Sequence, residues 1–106
     1  MAVLNKKKVL VVVNDAGAAE IIAGYVRTHA KNTAFLCYVA GPAEGVFRRE
    51  HIAHSRITES IVPTVVRKHQ DVAYVLTGTG WMTSIESSVI FEAKKANLKT
   101  VVYLES

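Results

Sequence analysis

Cysteine, proline and glycine are scarce in this 106-residue chain. Cys37 is the only cysteine, so no disulfide can form within the chain, and we expect a reducing, cytoplasmic setting. Because Cys37 lies inside the apolar run 35–39, the pattern predicts a buried thiol and excludes a cysteine nucleophile. Two Pro and six Gly, with 50% hydrophobic residues, exclude a disordered or collagen-like chain. We expect a single folded domain over residues 1–106.

Long apolar runs and acidic residues are also few. The run Val9–Val13 is far shorter than the roughly 20 residues that cross a bilayer, so we expect no membrane span. Thirteen Lys and Arg against nine Asp and Glu give a formal charge of +4. Neither basic cluster, Lys6–Lys8 or the arginines at 48, 49 and 56, has interleaved aromatic residues. We therefore expect a solvated strand entry at Lys6–Lys8 and no nucleic-acid partner.

Strand and helix patterns alternate along the chain. The run Val9–Val13 is apolar and mostly β-branched, which is typical of a strand buried on both faces. From Ala18 the apolar residues take helical spacing, with Asn14 or Asp15 as the N-cap. Further strands are predicted at 33–40, 72–77 and 100–104, and further helices at about 44–49, from a Ser60 cap through His69, and at about 84–97. The stretch 43–57 is otherwise an irregular connection.

This alternation predicts an α/β fold, because parallel strands need right-handed helical crossovers. We expect a three-layer α/β/α sandwich with a four-stranded parallel sheet in the order 2-1-3-4, of Rossmann or flavodoxin-like type. In such sheets the ligand crevice lies at the carboxyl ends of the strands, where the order reverses. Here that point lies between strands one and three.

Glycines collect at this predicted edge. Five of the six follow a strand end, and the turns after strands one and three each lead into a helix N-terminus, which suits a phosphate, a carboxylate or a sugar hydroxyl. The alternative is that these glycines only form tight turns. Neither turn contains GxxxxGK[ST] or a complete GxGxxG. The candidate ligand-binding residues are Asn14, Asp15, Gly17, Gly41, Thr77, Gly78, Thr79, Gly80, Trp81 and Glu86.

Two carboxylates are candidates for chemistry, although the pattern assigns no catalytic residue. Glu86 stands three residues after Thr83, the spacing of a capping box, while a helical wheel places it on the inward apolar face. It therefore either caps its helix or points to the crevice as a ligand group or base. Asp15 presents the same choice between cap and ligand group. Trp81 is either a platform for a sugar ring or a core residue.

Two other features of the sequence bear on binding. His51 and His54 have HxxH spacing, but no third ligand is evident, so a solvated pair is favoured and we expect no metal and no cofactor. Phe91 lies on the polar side of its helix with Lys94 and Lys95. An exposed aromatic residue there indicates a contact surface, either for a homodimer or for an absent domain.

The segment Asp-Val-Ala-Tyr-Val-Leu-Thr-Gly-Thr-Gly-Trp-Met-Thr-Ser-Ile-Glu, residues 71–86, and its continuation over 93–105 carry a resemblance. They resemble the N-terminal Rossmann-like lobe of two-lobed (GT-B) glycosyltransferases and UDP-N-acetylglucosamine 2-epimerase-like proteins. With a looser likeness over 9–30, the resemblance covers about half of the chain. In that family the C-terminal lobe holds most of the nucleotide-sugar donor and the N-terminal lobe faces the acceptor. The resemblance implies an interlobe cleft bordered by Asp15, Gly17, Gly78, Thr79, Gly80 and Glu86, without a catalytic role for any of them.

Two function classes remain open. The first is a carbohydrate- or nucleotide-sugar-handling lobe of a glycosyltransferase-like enzyme, inactive alone and lacking its C-terminal lobe; an end at Ser106, just past a strand, fits this expectation. The second is a small non-catalytic ligand-binding or regulatory module that acts as a homodimer. Both predict a small-molecule anion or sugar as ligand. A monomer with an exposed apolar surface favours the first, and a dimer that binds one ligand well favours the second.

Overall fold

The computed structural model describes residues 6–78 and 84–103 of the chain. The five strands are β1 (Lys7–Val13), β2 (Thr33–Val39), β3 (Ser55–Arg56), β4 (Tyr74–Gly78) and β5 (Thr100–Tyr103). The four helices are α1 (Ala16–His29), α2 (Pro42–Arg49), α3 (Val62–Lys68) and α4 (Ser84–Lys95), and a 3-10 turn at Glu59–Ile61 precedes α3. Strands and helices alternate, which confirms the predicted α/β class.

The strands form one parallel sheet in the order β3-β2-β1-β4-β5. The predicted strands two, one, three and four are β2, β1, β4 and β5, and they stand in the predicted order. The prediction of four strands was wrong by one, because β3 adds a fifth at the edge beside β2. This strand has two exposed residues, so it carries no apolar pattern that the sequence could reveal.

The core lies on both faces of β1, which explains its unbroken apolar run. Val9, Val11 and Val13 face the layer of α1 and α2, while Leu10 and Val12 face the layer of α3 and α4. All five side chains are fully buried. A strand in this position cannot alternate apolar and polar residues, because neither face reaches water.

Two helix ends differ from the sequence prediction. Ser60 does not cap α3; it lies within the 3-10 turn, where its hydroxyl is 3.1 Å from the Thr58 hydroxyl. Helix α4 ends at Lys95 rather than near Asn97, because Asn97 adopts a positive φ of 61°. The Leu98 amide then donates to the Ala93 carbonyl at 2.8 Å, a common way to close a helix.

None of the helices in the described part of the chain is both long and apolar enough to span a membrane.

Candidate functional site

The strand order reverses between β1 and β4, and the described residues at the carboxyl ends of these strands border the candidate site. From β1 the chain continues into α1 on one face of the sheet, and from β4 it continues toward α4 on the other face. This divergence is the geometry that opens ligand sites in doubly wound sheets. We call the described residues at this place, namely 14–18, 41, 77, 78 and 86, the switch-point edge.

Glu86 joins the two sides of the switch-point edge. It lies in the first turn of α4 and is 1% exposed, so the helical wheel is right that it points inward. Its Oε2 accepts hydrogen bonds from the backbone amides of Asn14 at 2.8 Å and Asp15 at 3.0 Å. The carboxyl group therefore holds the turn after β1 from more than seventy residues away. Thr83, its partner in the predicted capping box, lies outside the described residues.

Asp15 is the N-cap of α1, which decides between the two caps, Asn14 and Asp15, that the sequence left open. Its backbone is extended, with φ of −70° and ψ of 133°, and its Oδ2 accepts from the Ala18 amide at 2.8 Å. Its carbonyl also accepts the amide of Ala19 at 2.9 Å, the first bond of the helix. The side chain thus satisfies one of the amides that a helix N-terminus leaves without an intrahelical acceptor.

Asn14 and Gly41 bring the turns after β1 and β2 into contact. The Asn14 carbonyl accepts from the Ala43 amide at 3.1 Å. Gly41 has a φ of 53°, and a Cβ added there would lie 2.1 Å from the Asn14 Oδ1. Any larger residue at position 41 would meet both an unfavourable backbone conformation and the Asn14 side chain. The glycine therefore serves this close approach, which is consistent with the turn-forming alternative.

The end of β4 packs tightly against the first turn of α1. A Cβ added at Gly78 would lie 2.3 Å from the Ala18 Cβ, so only glycine fits this contact. The Thr77 hydroxyl is buried and donates to the Val12 carbonyl at 2.5 Å, which ties β4 to β1. Gly17 occupies the second position of α1. The candidates Thr79, Gly80 and Trp81 lie outside the described residues.

This arrangement presents the N-terminus of α1 at the reversal point. The Ala16 and Gly17 amides, at the first two helical positions, have no acceptor within the helix, and the aligned peptide dipoles give this end a partial positive charge. The two candidate carboxyl groups both accept backbone amides. Together they position the turn, and their observed contacts are structural.

The described ranges 6–78 and 84–103 contain no group of three His, Cys, Asp or Glu residues placed to bind a metal ion. His51 has a φ of 58° at the end of the α2 region, and the His54 Nδ1 lies 2.7 Å from the Ile52 carbonyl. The HxxH spacing therefore does not produce a metal-binding cluster within these ranges.

The described groups with markedly displaced pKa values lie away from the switch-point edge. Burial raises the pKa of the Cys37 thiol to about 12, which leaves it protonated and unreactive at neutral pH. Burial, followed by a hydrogen bond to the Tyr25 hydroxyl at 2.7 Å, raises the pKa of Tyr74 to about 12. Burial also lowers the pKa of His69, whose Nε2 is 2.8 Å from the Tyr38 hydroxyl.

The sequence did not predict which residues Glu86 and Gly78 would contact. It identified Glu86 and Gly78 but not the contacts of Glu86 with the Asn14 and Asp15 amides or of Gly78 with Ala18. The available signal was the predicted strand order, which places the turns after strands one and three side by side. A search for small residues facing one another across that pair would have found Ala18 and Gly78.

A comparison with solved structures supports the fold. The chain is similar to the crystal structure of phosphoribosylglycinamide formyltransferase from Anaplasma phagocytophilum, with a TM-score of 0.58 and 14% sequence identity. The match covers 92% of this chain and 49% of that one, so the chain spans about half the length of this neighbour. No family model and no curated protein matches the chain. These findings show a Rossmann-like α/β fold, and they do not support the glycosyltransferase family specifically.

Proposed function

We propose that this chain is a ligand-binding Rossmann-like module that receives a small anion or sugar at the switch-point edge. In this proposal it handles a carbohydrate or nucleotide sugar as one lobe of a glycosyltransferase-like protein. The observation that carries the proposal is the contact of the buried Glu86 carboxyl group with the Asn14 and Asp15 amides. It holds the turn before α1 in a single geometry, which is what a preorganised binding site needs.

The proposed ligand class follows from the hydrogen-bond donors at the switch-point edge. The first amides of α1 donate hydrogen bonds and carry partial positive charge, which favours phosphate or carboxylate oxygens. A sugar hydroxyl can use the same donors with less electrostatic gain. Within the proposed ligand class, a nucleotide sugar, which carries a diphosphate, therefore suits these donors better than an uncharged carbohydrate.

No catalytic residue is part of this proposal. Asp15 caps α1 and Glu86 holds the turn, so we assign both a positioning role. A lobe of this kind has no activity alone, because the rest of the reaction machinery would come from a second lobe. We therefore expect binding without turnover.

An amide-shift NMR titration of the intact chain tests the proposal. The probes are inorganic phosphate, uridine diphosphate and UDP-N-acetylglucosamine, and we expect saturable shifts at residues 15–18 and at Gly78. The Gly17→Asp variant adds a negative charge at the second position of α1, where an acidic residue stabilises the helix but repels an anion. We expect it to weaken phosphate binding by at least about tenfold, which corresponds to about 1.4 kcal/mol.

Gly24→Asp is the matched control for this titration. It makes the same chemical change in the same helix, at a position where an added Cβ meets nothing within 4 Å. We expect it to change the affinity by less than about twofold, because the charge is screened over the distance to the helix start. The proposal fails if none of the three probes shifts residues 15–18, or if both variants lose binding equally.

A second candidate function is a regulatory module that acts as a homodimer. The exposed side chain of Phe91 favours it. Phe91 is 60% exposed and Ile61 is 40% exposed, so the expectation that Phe91 reaches solvent is confirmed. Phe91 also borders an open cavity of about 490 Å³ between the 3-10 turn and α4. In this second proposal, Phe91 belongs to the surface that a second copy of the chain covers.

Sedimentation velocity separates the two functions. A dimer that dissociates in Phe91→Glu, but persists in the control Ile21→Glu, would support the homodimer. Ile21 suits this comparison because it is 43% exposed and belongs to α1 on the opposite face of the sheet. A monomer at all concentrations would support the lobe.

A further inference from the structure

A cavity lies at the amino-terminal edge of the sheet, at the end opposite the switch-point edge. It has a volume of about 620 Å³, within the range of small-molecule sites. Its lining consists of three consecutive lysines at the start of β1, one residue of β2 and the segment before β4: Lys6, Lys7, Lys8, Ala34, Asp71, Val72 and Ala73. We call it the lysine cavity.

The parallel register explains why these residues meet. Val9 of β1 is opposite Tyr74 of β4, so the residues just before each of them are also neighbours. The Ala73 amide donates to the Lys8 carbonyl at 2.7 Å, which fixes the segment that carries Asp71 beside the lysines. The Lys8 Nζ then lies 2.7 Å from the Asp71 Oδ2, an ion pair between two half-exposed side chains.

The lining has more positive than negative charge. Three of the seven lining residues are lysines, and the acidic lining residue, Asp71, pairs with Lys8. The Lys6 Nζ lies 3.4 Å from the Ala30 carbonyl, and the Lys7 Nζ lies 5.7 Å from the centre of the Tyr74 ring. Over residues 6–78 and 84–103, no carboxylate oxygen lies within 4.0 Å of either group.

The other basic cluster of the chain is arranged differently. Arg48 and Arg56 both pair with Glu44, at 3.3 and 2.6 Å, and Arg49 pairs with Glu50 at 3.2 Å. Each of those arginines therefore has a carboxylate partner within the fold, and Arg48 and Arg56 share that of Glu44. Lys6 and Lys7, by contrast, have no carboxylate partner among the described residues, so an external anion at this end of the sheet can balance their charge.

We propose that the lysine cavity binds a multiply charged phosphate group such as an oligophosphate. Ammonium groups on flexible stems are point charges that adapt to phosphate oxygens, and the excess of two positive charges favours a polyanion over a neutral sugar. Asp71 positions Lys8 and does not balance the other two lysines. The described lining offers no aromatic ring for stacking a base, so the phosphate itself is the recognised group.

Titration with sodium triphosphate, followed by amide shifts of the intact chain, tests this proposal. We expect saturable shifts at residues 6–8, 34 and 72–73, separate from those at residues 15–18. The double variant Lys6→Ala, Lys7→Ala should weaken triphosphate binding by about tenfold, because it removes the two lysine charges that no carboxylate of the described residues balances.

The control is the double variant Lys94→Ala, Lys95→Ala, which removes the same charge from the end of α4. We expect it to change the triphosphate affinity by less than about twofold. Absence of saturable shifts at the lysine cavity would overturn the proposal. Equal weakening in the two double variants would overturn it as well, because binding would then depend only on net charge.

A second experiment shows whether the phosphate group belongs to a lipid headgroup or to a free compound. The intact chain is sedimented with phosphatidylcholine vesicles that contain or lack phosphatidic acid. Capture that depends on phosphatidic acid and is lost in Lys6→Ala, Lys7→Ala identifies a lipid headgroup, while triphosphate binding without capture identifies a free phosphate compound. Failure of both experiments, or binding of duplex DNA without triphosphate binding, contradicts the proposed site.

Discussion

Replacing Glu86 with alanine removes the group that joins the two sides of the switch-point edge. The Asn14 and Asp15 amides would lose their acceptor, and one buried methylene would be lost with the carboxyl group. Each amide left without a partner costs about 1–3 kcal/mol, and the half-buried turn places the cost near the lower limit, because water can enter. A buried methylene contributes about 0.8 kcal/mol. We therefore expect a loss of about 3 kcal/mol in the free energy of unfolding.

Two variants bracket this value. Glu86→Gln keeps the volume and an oxygen that can accept from both amides, so we expect a loss of about 1 kcal/mol. Glu92→Ala makes the same change on the same helix, where the carboxylate forms a 3.7 Å ion pair with Lys95. This control should change stability by less than about 1 kcal/mol.

Urea denaturation followed by circular dichroism measures these differences in the free energy of unfolding, and thermal denaturation measures the corresponding change in Tm. For a chain of this length, each 1 kcal/mol corresponds to roughly 4 °C in Tm, so Glu86→Ala should melt about 12 °C lower. Hydrogen exchange of the Asn14 and Asp15 amides gives a local readout, because both should lose protection in Glu86→Ala and retain it in Glu92→Ala. A loss in Glu86→Ala no larger than that in Glu92→Ala would refute the reasoning.

The remaining predictions concern other buried positions. Gly78→Ala should lower the free energy of unfolding by about 1–3 kcal/mol, because the added Cβ meets the first turn of α1. Gly24→Ala should raise it by about 0.5–1 kcal/mol, because its added Cβ meets nothing within 4 Å. Equal effects of the two variants in urea denaturation would contradict this prediction. The raised pKa of Tyr74, about 12, predicts stability that is intact below about pH 10 and lost as pH rises toward 12, and Tyr74→Phe should flatten that alkaline loss. Cys37 should react with a thiol reagent only on unfolding, and rapid labelling of the native protein would disprove its burial.

Much of the candidate site could be predicted because it depends on local chemistry. Asp15 caps α1 as expected from an aspartate placed before a run with helical spacing. Glu86 faces inward because helical periodicity places it with Val89 and Ala93, and both of these are fully buried. Phe91 is exposed for the same reason, since it lies on the opposite side of that helix.

The partners of these residues could not be predicted in the same way. Glu86 meets the Asn14 and Asp15 amides only because α4 and β1 lie on neighbouring parts of one sheet edge. Strand β3 was missed because two exposed residues show no periodicity, and they pair only because β2 presents a free edge. Each of these outcomes depends on contacts between segments far apart in the chain.

The amino-acid sequence by itself determined the alternation of strands and helices, the burial of β1 on both faces and the α/β class of the fold. These follow from periodicity and from the right-handed crossover that parallel strands require. Tertiary structure alone decided which side chain meets which: Glu86 with the turn after β1, Gly78 with Ala18, and Asp71 with Lys8. The physical reason is that periodicity fixes the face on which a residue lies, whereas register and crossover geometry fix its neighbour across the sheet.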